Sequence, residues 1–251
     1  MSKSPTKGII YITAGASFTR LALASAESAK QHSPNIRVHL FSDQPDVQSP
    51  WIDGLSLIEN PHVRSKVDYI HQTPFDYTLF LDADTRIISD IHSLFDVLKR
   101  FDLAIAHAQK RNHFPTQQKW TEDIPYAFPQ MNSGVLLFRK NEKSIQLLKD
   151  WQQAYHNNGF WKDQVTLREL IWKSDLRISI LPPEFNIRFA KYLDVWTEKE
   201  AAPQILHYAK FKEDFNASYQ EAKGKIQTRR QHWQAKWIKL KWIWQELKSL
   251  V

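Results

Sequence analysis

The sequence contains no cysteine, only six glycines and no long apolar run. The lack of cysteine excludes disulfides and thiolate-bound metal, so any metal must be held by oxygen or by histidine nitrogen. No glycine lies in a Gly-x-Gly-x-x-Gly or Gly-x-x-x-x-Gly-Lys pattern, which argues against a Rossmann dinucleotide site or a P-loop. The sequence contains no stretch of about 18 apolar residues, so no membrane-spanning helix is predicted. Residues 1–8 lack the apolar region of a signal peptide, and this predicts a cytoplasmic protein.

The 251 residues are 42% hydrophobic, enough to bury the core of one large domain with an appendage. The net charge of +7 is confined to one end, because residues 223–248 contain eight basic residues and one acidic residue. The rest of the chain is neutral, so the basic character predicts a local patch and not a generally polyanion-binding protein.

Apolar runs and helical periodicity alternate along most of the chain. Strands are predicted at 8–13, 36–41, 55–58, 77–81, 103–106, 134–138, 178–181 and 204–207. Helices are predicted at 17–31, 62–71, 90–100, 142–156 and 163–172. This alternation predicts an α/β fold with a mostly parallel sheet covered by helices on both faces.

The most informative motif is an apolar strand that ends in two carboxylates, Asp82 and Asp84, separated by Ala83. Ligands of α/β sheets collect beyond the carboxyl ends of such strands. Divalent cations such as Mg²⁺ and Mn²⁺ take carboxylate ligands and complete their shell with water and substrate phosphates. The motif therefore predicts a metal-bridged diphosphate, although an Asp-x-Asp at a strand end is also common as a plain polar turn.

Four further segments fit a site at the same place. Asn132, Ser133 and Gly134 stand before a buried strand, where glycine lets a ligand approach the backbone. The other three are the pair Asp163-Gln164 at a predicted helix start, His207 at a strand end, and the cationic segment 63–66 upstream of the aspartates.

In this order the blocks SKVDYI, YTLFLDADTRI, MNSGVLLFRK, DQ, LPPEFN and ILHY resemble the GT-A fold glycosyltransferases. The closest resemblance is to glycosyltransferase family 8, with its glycogenin-like and lipopolysaccharide-galactosyltransferase-like members, over residues 8–211. It implies a GT-A catalytic domain at 1–215 that transfers a sugar from a nucleotide diphosphate sugar, expected to be a UDP-sugar, to an acceptor hydroxyl with retention.

The resemblance also implies roles for individual residues. Asp82, Asp84 and His207 would hold Mn²⁺ or Mg²⁺, and the backbone of Ala83 would lie against the ribose. The nucleoside would be received by Ile12, Thr13, Ala14, Gly15 and Phe18. The donor diphosphate or sugar would be contacted by Lys66, Asn132, Ser133 and Gly134, with Lys210 or Lys212 in place of the family's usual lysine clamp. Near the anomeric carbon, Asp163 is the first candidate to stabilise the oxocarbenium-like transition state and Gln164 the second.

Each of these residues also has a plain structural interpretation. His207 and Phe18 can belong to the core, Asp163 can cap a helix, Lys66 can lie on a solvated helix face, and Asn132-Ser133 can be a strand-entry turn.

Residues 216–251 predict one basic, tryptophan-rich amphipathic helix. Its apolar positions, Trp233, Trp237, Leu240, Trp244, Leu247 and Val251, recur at steps of four and three. Such a helix is expected at an anionic membrane surface, where it would suit a lipid-linked or lipopolysaccharide acceptor, and would bring the protein to the cytoplasmic membrane face. The alternative is that the apolar stripe packs on the catalytic domain or on a partner chain.

Two other functional classes remain open from the sequence. A nucleotidyltransferase would also use two aspartates and a divalent ion, but it leaves Asn132-Ser133-Gly134 and His207 without a task. A non-enzymatic nucleic-acid-binding protein would use the basic tail for phosphates and base stacking, but the neutral body argues against it.

Overall fold

The computed structural model describes residues 4–209. Four sequence-based predictions lie outside the described residues: the domain boundary at 215, the predicted amphipathic helix at 216–251, and the roles of Lys210 and Lys212. Within the described part, no helix is both long and apolar enough to cross a bilayer.

Nine strands within residues 4–209 form two sheets. They are β1 Lys7–Thr13, β2 Arg37–Ser42, β3 Gly54–Leu57, β4 Tyr77–Leu81, β5 Thr85–Ile87, β6 Leu103–His107, β7 Met131–Arg139, β8 Ile178–Ile180 and β9 Ile205–His207. The large sheet has the order β3-β2-β1-β4-β7-β6-β8, and β7 alone runs antiparallel to its neighbours β4 and β6. The predicted α/β fold with a mostly parallel sheet is confirmed.

The described helices are α1 Ala16–His32, α2 Lys66–Tyr69, α3 Phe114–Gln117, α4 Glu142–Asn158, α5 Gln164–Lys173 and α6 Lys191–Val195. Turns of 3-10 helix lie at Ile70–Gln72, His92–Lys99 and Pro183–Phe185. The helix predicted at 62–71 is shorter in the structure and begins only at Lys66. The reason is that the Ser65 hydroxyl accepts a hydrogen bond from the His62 N–H and donates one to the His62 carbonyl. This local hydrogen bonding closes a turn that competes with a helix. The helix predicted at 90–100 has the tighter 3-10 form.

The sheet is buried on both faces because its strands alternate apolar side chains between two clusters. Ile9 and Leu79 point into the cluster that α1 covers, together with Ala22 and Ala26 of that helix. Their neighbours Ile10, Phe80 and Leu136 point into the other cluster, which α4 and α5 cover. At roughly 25 cal/mol per Å² of buried apolar surface, these two cores are the main source of stability, and they fix the edge at which β1 and β4 end.

Two side chains of α5 attach the long loop 109–130: Arg168 donates to the carbonyls of Ile124, Pro125 and Phe128, and Glu169 supplies a buried carboxylate. Glu169 accepts hydrogen bonds from the Thr121 hydroxyl, from the backbone N–H groups of Thr121 (2.8 Å) and Glu122 (3.2 Å), and from Lys173 (2.8 Å). Burial opposes ionisation, but the hydrogen bonds from Lys173 and Thr121 outweigh it and lower the pKa of Glu169 to about 2. The charged form therefore anchors the loop.

A small second sheet joins distant parts of the chain. β5 follows the aspartates directly and pairs antiparallel with β9, so that Thr85 lies opposite His207. The sequence pattern predicts β9 but not β5, because the three residues of β5 are too few to show a period. This pairing brings the histidine to the aspartates.

Candidate active site

Asp82 and Asp84 lie just beyond the carboxyl end of β4, as the motif predicts. The Asp82 N–H donates to the Gly134 carbonyl at 2.9 Å, and the Thr85 hydroxyl donates to the Asp82 carbonyl at 2.8 Å. Asp84 is buried, with the Tyr208 N–H donating to its carbonyl at 3.1 Å, and Ala83 between them is also buried. The turn is therefore held by backbone hydrogen bonds on both sides.

The segment Asn132-Ser133-Gly134 reaches the same edge because β7 runs antiparallel to β4. The N-terminal end of β7 thus lies beside the carboxyl end of β4, with Leu81 opposite Val135. The triplet is inside the strand, which begins at Met131, and the expectation that it precedes the strand is wrong.

Gly134 makes room for neighbouring side chains. A Cβ atom at this position would stand 2.1 Å from Cε1 of His207 and 2.7 Å from Oδ2 of Asp82. Because contacts under 3 Å require a shift, the glycine is needed for the histidine and aspartate to occupy their places.

His207 completes the predicted metal group. Its Nε2 lies 3.3 Å from Oδ1 of Asp84 and 3.5 Å from Oδ2 of Asp82, and its side chain is 3% exposed. The three residues offer ligand atoms that all lie within 4.8 Å of one another. Two carboxylates and one imidazole nitrogen at a sheet edge fit a divalent cation.

The charge of Asp82 is stabilised by its surroundings. Burial alone would raise its pKa, but the Lys66 ammonium, then His207 and the more distant Arg188, outweigh burial and hold the pKa of Asp82 well below its usual range. A carboxylate that stays ionised at neutral pH is a competent cation ligand.

Lys66, at the start of α2, is buried among side chains of this site. Its Nζ lies 2.9 Å from Oγ of Ser133, 3.3 Å from Oδ1 of Asp82 and 3.3 Å from Oδ2 of Asp163. Burial opposes the charge, but the carboxylates of Asp163 and Asp82 raise the pKa of Lys66. This burial excludes the interpretation that Lys66 lies on a solvated helix face. The lysine already has three protein partners.

Asp163 precedes α5 but does not cap it with its side chain. Its Oδ2 accepts from Ser133 at 2.8 Å and pairs with Lys66, while Oδ1 lies 3.5 Å from Nε of Arg64. The buried Trp151 donates its indole N–H to the Asp163 carbonyl at 2.7 Å. Asp163 is thus a buried counter-ion, with a side chain that is 2% exposed.

The neighbouring Gln164 is half-buried and reaches the same serine, with Nε2 at 3.5 Å from Oγ of Ser133. Of the two residues predicted near the anomeric carbon, Gln164 therefore has the more accessible side chain.

The turn predicted to receive the nucleoside also ends at this edge, because β1 is the neighbour of β4 and Ile10 lies opposite Phe80. Ile12, Ala14 and Phe18 are partly buried against the core. Thr13 is buried, with its hydroxyl 3.0 Å from that of Thr19.

Gly15 lies in the turn between β1 and α1, immediately before α1, and has a φ of +92°, a conformation that favours glycine. Its N–H donates to both carboxylate oxygens of Asp43 at 2.9 Å. This contact ties the turn after β1 to the end of β2.

Arg64, part of the predicted cationic segment 63–66, approaches Asp163. Two other contributors to the site were missed by sequence reasoning: Asn186 hydrogen-bonds His207, and the buried Arg86 donates to the Ala83 carbonyl at 3.4 Å. Only Asn186 had a signal, since it ends the LPPEFN block of the family resemblance, and that signal carries no role.

A second group, His62, Asp68 and His156, also has ligand atoms within 4.8 Å of one another. The Arg64 N–H donates to Nδ1 of His62 at 3.2 Å, so Nε2 of that ring carries the proton that it donates to Asp68. A metal needs that nitrogen free. We therefore interpret this group as a hydrogen-bonded link between α2 and α4, in which Nε2 of His156 lies 2.6 Å from Oδ1 of Asp68.

Comparison with known proteins adds a family and a fold. A family profile described as nucleotide-diphospho-sugar transferase matches residues 76–227, a range that contains Asp82, Asp84, Asp163 and His207. The chain is also similar to the crystal structure of the glycosyltransferase GlyE from Streptococcus pneumoniae TIGR4, with 18% identity and a TM-score of 0.53. The match covers 80% of this chain and 54% of GlyE, so the chain spans about half the length of that protein. No curated protein sequence matches the chain.

Proposed function

Since the chain belongs to the nucleotide-diphospho-sugar transferase family, we propose that it is a metal-dependent glycosyltransferase with a site at Asp82, Asp84 and His207. The observation that carries the proposal is that these three residues, from two distant parts of the chain, meet with ligand atoms within 4.8 Å. The proposed reaction moves a sugar from a UDP-sugar to an acceptor hydroxyl with retention, as the resemblance to family 8 implies.

The residues present fit a cation that is Mn²⁺ or Mg²⁺. When bound, such a cation neutralises the charge that develops on a nucleoside diphosphate leaving group. Asp82 and Asp84 bring negative charge to the diphosphate end of the donor, and Gly134 keeps space for His207 beside them.

The two candidate residues at the anomeric carbon receive different parts in this proposal. Gln164 is half-buried and donates its Nε2 to Ser133, and its amide oxygen is the group proposed to stabilise positive charge on the sugar ring. Asp163 neutralises Lys66 and accepts a hydrogen bond from Ser133, and so holds these two side chains of the proposed donor-sugar site in place.

Further residues are proposed to contact the nucleoside and the diphosphate of the donor. Ile12, Thr13, Ala14, Gly15 and Phe18 are the proposed nucleoside contacts, with Ala83 at the ribose, because their turn lies at the same sheet edge as the aspartates. Lys210 or Lys212 is proposed as the diphosphate clamp.

The proposed acceptor is a glycan on a lipid carrier or on lipopolysaccharide, reached from the cytoplasmic face of a membrane. The basis is the basic, tryptophan-rich sequence of residues 216–251. Sedimentation with anionic liposomes tests this: the full chain is expected to pellet in a salt-sensitive manner and a chain ending at Ala222 to stay in solution. Equal pelleting of both chains would contradict the proposal.

The donor site is tested by thermal shift with a panel of nucleoside diphosphates and triphosphates, with and without Mn²⁺. Binding at about 100 times Kd adds roughly 2.7 kcal/mol, and each kcal/mol shifts the Tm of a chain of this size by about 2–4 °C. We expect a Mn²⁺-dependent shift with UDP that Asp84→Asn abolishes.

The matched control is Asp96→Asn, because Asp96 pairs with Lys7 at the opposite end of β1 and is exposed. It should retain the full shift. A shift confined to triphosphates would favour the nucleotidyltransferase alternative, and the absence of any shift would contradict the proposed donor site.

A further inference from the structure

Asn186 contacts two parts of the site at once. It is 2% exposed, and its Oδ1 lies 2.8 Å from Nδ1 of His207. On its other side, Nδ2 lies 3.1 Å from Oδ1 and 3.5 Å from the carbonyl of Asn132. A buried polar side chain in this position satisfies all the groups that face it.

The direction of these hydrogen bonds is set by the backbone. The Gly134 N–H can only donate, and it donates to Oδ1 of Asn132 at 3.1 Å. Oδ1 of Asn132 is therefore an acceptor, so the amide group that Asn186 turns towards it must be the donor, Nδ2. This leaves Oδ1 of Asn186, an acceptor, facing Nδ1 of His207.

Nδ1 of His207 must consequently carry a proton, because two acceptors at 2.8 Å would repel each other. Nε2 is then the only ring nitrogen available to a cation, and it is the nitrogen that faces Asp82 and Asp84. Whatever occupies the space beside Nε2, the proton on Nδ1 stays in place.

The backbone around Asn186 holds it rigidly in this position. Its N–H donates to the Pro183 carbonyl at 3.0 Å, and its carbonyl accepts from Nε2 of Gln109 at 3.0 Å. The next residue, Ile187, exchanges hydrogen bonds with β9: it donates to Ile205 and accepts from the His207 N–H at 2.8 Å. Asn186 and His207 therefore keep a fixed distance.

We propose that Asn186 is a positioning residue that holds the proton on Nδ1 of His207 and so presents Nε2 as the metal ligand. The inference rests on the proposed function for the identity of the bound cation. Hydrogen bonds to the far nitrogen of a ligating histidine generally set its tautomer and orientation, and their loss costs about 10–100-fold in metal affinity.

The experiment compares Mn²⁺ binding, measured by the EPR signal of free Mn²⁺, in the natural protein and three variants. Asn186→Leu removes the acceptor while keeping the branched shape of the side chain, and we expect a 10–100-fold higher Kd. Asn186→Asp keeps an oxygen for Nδ1 and should recover part of the affinity. Asn158→Leu is the matched control, since Asn158 is hydrogen-bonded to Trp120 and touches no metal residue, and its Kd should not change.

A second readout is made on the natural protein and does not require a bound metal. In the ¹⁵N-labelled natural protein, the ring signals of His207, assigned by their loss in His207→Gln, should show a proton on Nδ1 both without metal and with Mg²⁺. A ring without that proton, or folded Asn186→Leu with unchanged Kd, would overturn the inference. If the natural protein fails to bind Mn²⁺ while the Nδ1 proton is present, the proposed metal dependence fails and the assignment of Asn186 stands.

Discussion

Replacing Lys66 with methionine should lower the free energy of unfolding, because it leaves buried negative charge without its partner. The side chains of Lys66 and Asp163 are 7% and 2% exposed, and their charged atoms lie 3.3 Å apart. Removing one member of a buried pair generally costs 3–5 kcal/mol. Arg64, at 3.5 Å from Asp163 and more exposed, partly compensates, so we expect a loss near the lower limit, about 3 kcal/mol.

Urea denaturation of the metal-free protein and a thermal melt measure this effect. For a chain of this size the expected fall in Tm is about 6–12 °C. The double variant Lys66→Met with Asp163→Asn should be more stable than Lys66→Met alone, because the amide removes the unpaired charge and can still accept from Ser133. The control Lys7→Met breaks an exposed pair with Asp96 and should cost at most about 1 kcal/mol.

The result that would refute this reasoning is a Lys66→Met protein within about 0.5 kcal/mol of the natural one, the size of an ordinary surface substitution. A double variant no more stable than the single one would also refute it, because the cost would then come from lost packing and not from the unpaired carboxylate.

Three further predictions follow from individual contacts. Gly134→Ala places a Cβ 2.1 Å from His207, so the histidine must move and the Kd for Mn²⁺ should rise at least 10-fold; an unchanged Kd in the EPR titration would contradict this. Because its pKa is lowered from 4.5 to about 2, Glu169 stabilises the fold fully above pH 4.5 and loses that contribution, at most about 3 kcal/mol, as the pH falls towards 2. In Glu169→Gln, the urea midpoint should therefore change less between pH 5 and pH 2 than it does in the natural protein. Equal changes of the midpoint in the two proteins would contradict this prediction. Asp43→Ala leaves the Gly15 N–H without its carboxylate and should weaken UDP binding together with a stability loss of about 1–2 kcal/mol, whereas unchanged nucleotide shifts would separate this turn from the donor site.

Much of the fold and one half of the site could be predicted from local sequence. The apolar run of β4 ends at Asp82 in the structure as in the pattern, because burial on both faces requires continuous apolar residues and carboxylates cannot continue it. The alternation of strands and helices likewise predicts the parallel sheet, since a crossover helix is the usual connection between parallel strands. These features depend on residues close together in the chain.

The other half was decided by tertiary structure. His207 meets the aspartates because three residues after Asp84 pair with β9, and the segment 132–134 reaches them because β7 reverses direction in the sheet. Neither pairing leaves a periodic signal.

The partners of buried polar groups are the last feature that local sequence could not reveal. Lys66 pairs with Asp163, and Asn186 faces His207, across long stretches of chain. Periodicity predicts which face of an element is buried, but only the folded chain decides which donor meets which acceptor. That is why the sequence by itself determined the aspartate motif and the sheet, and the tertiary structure decided the charges and hydrogen bonds that turn the motif into a site.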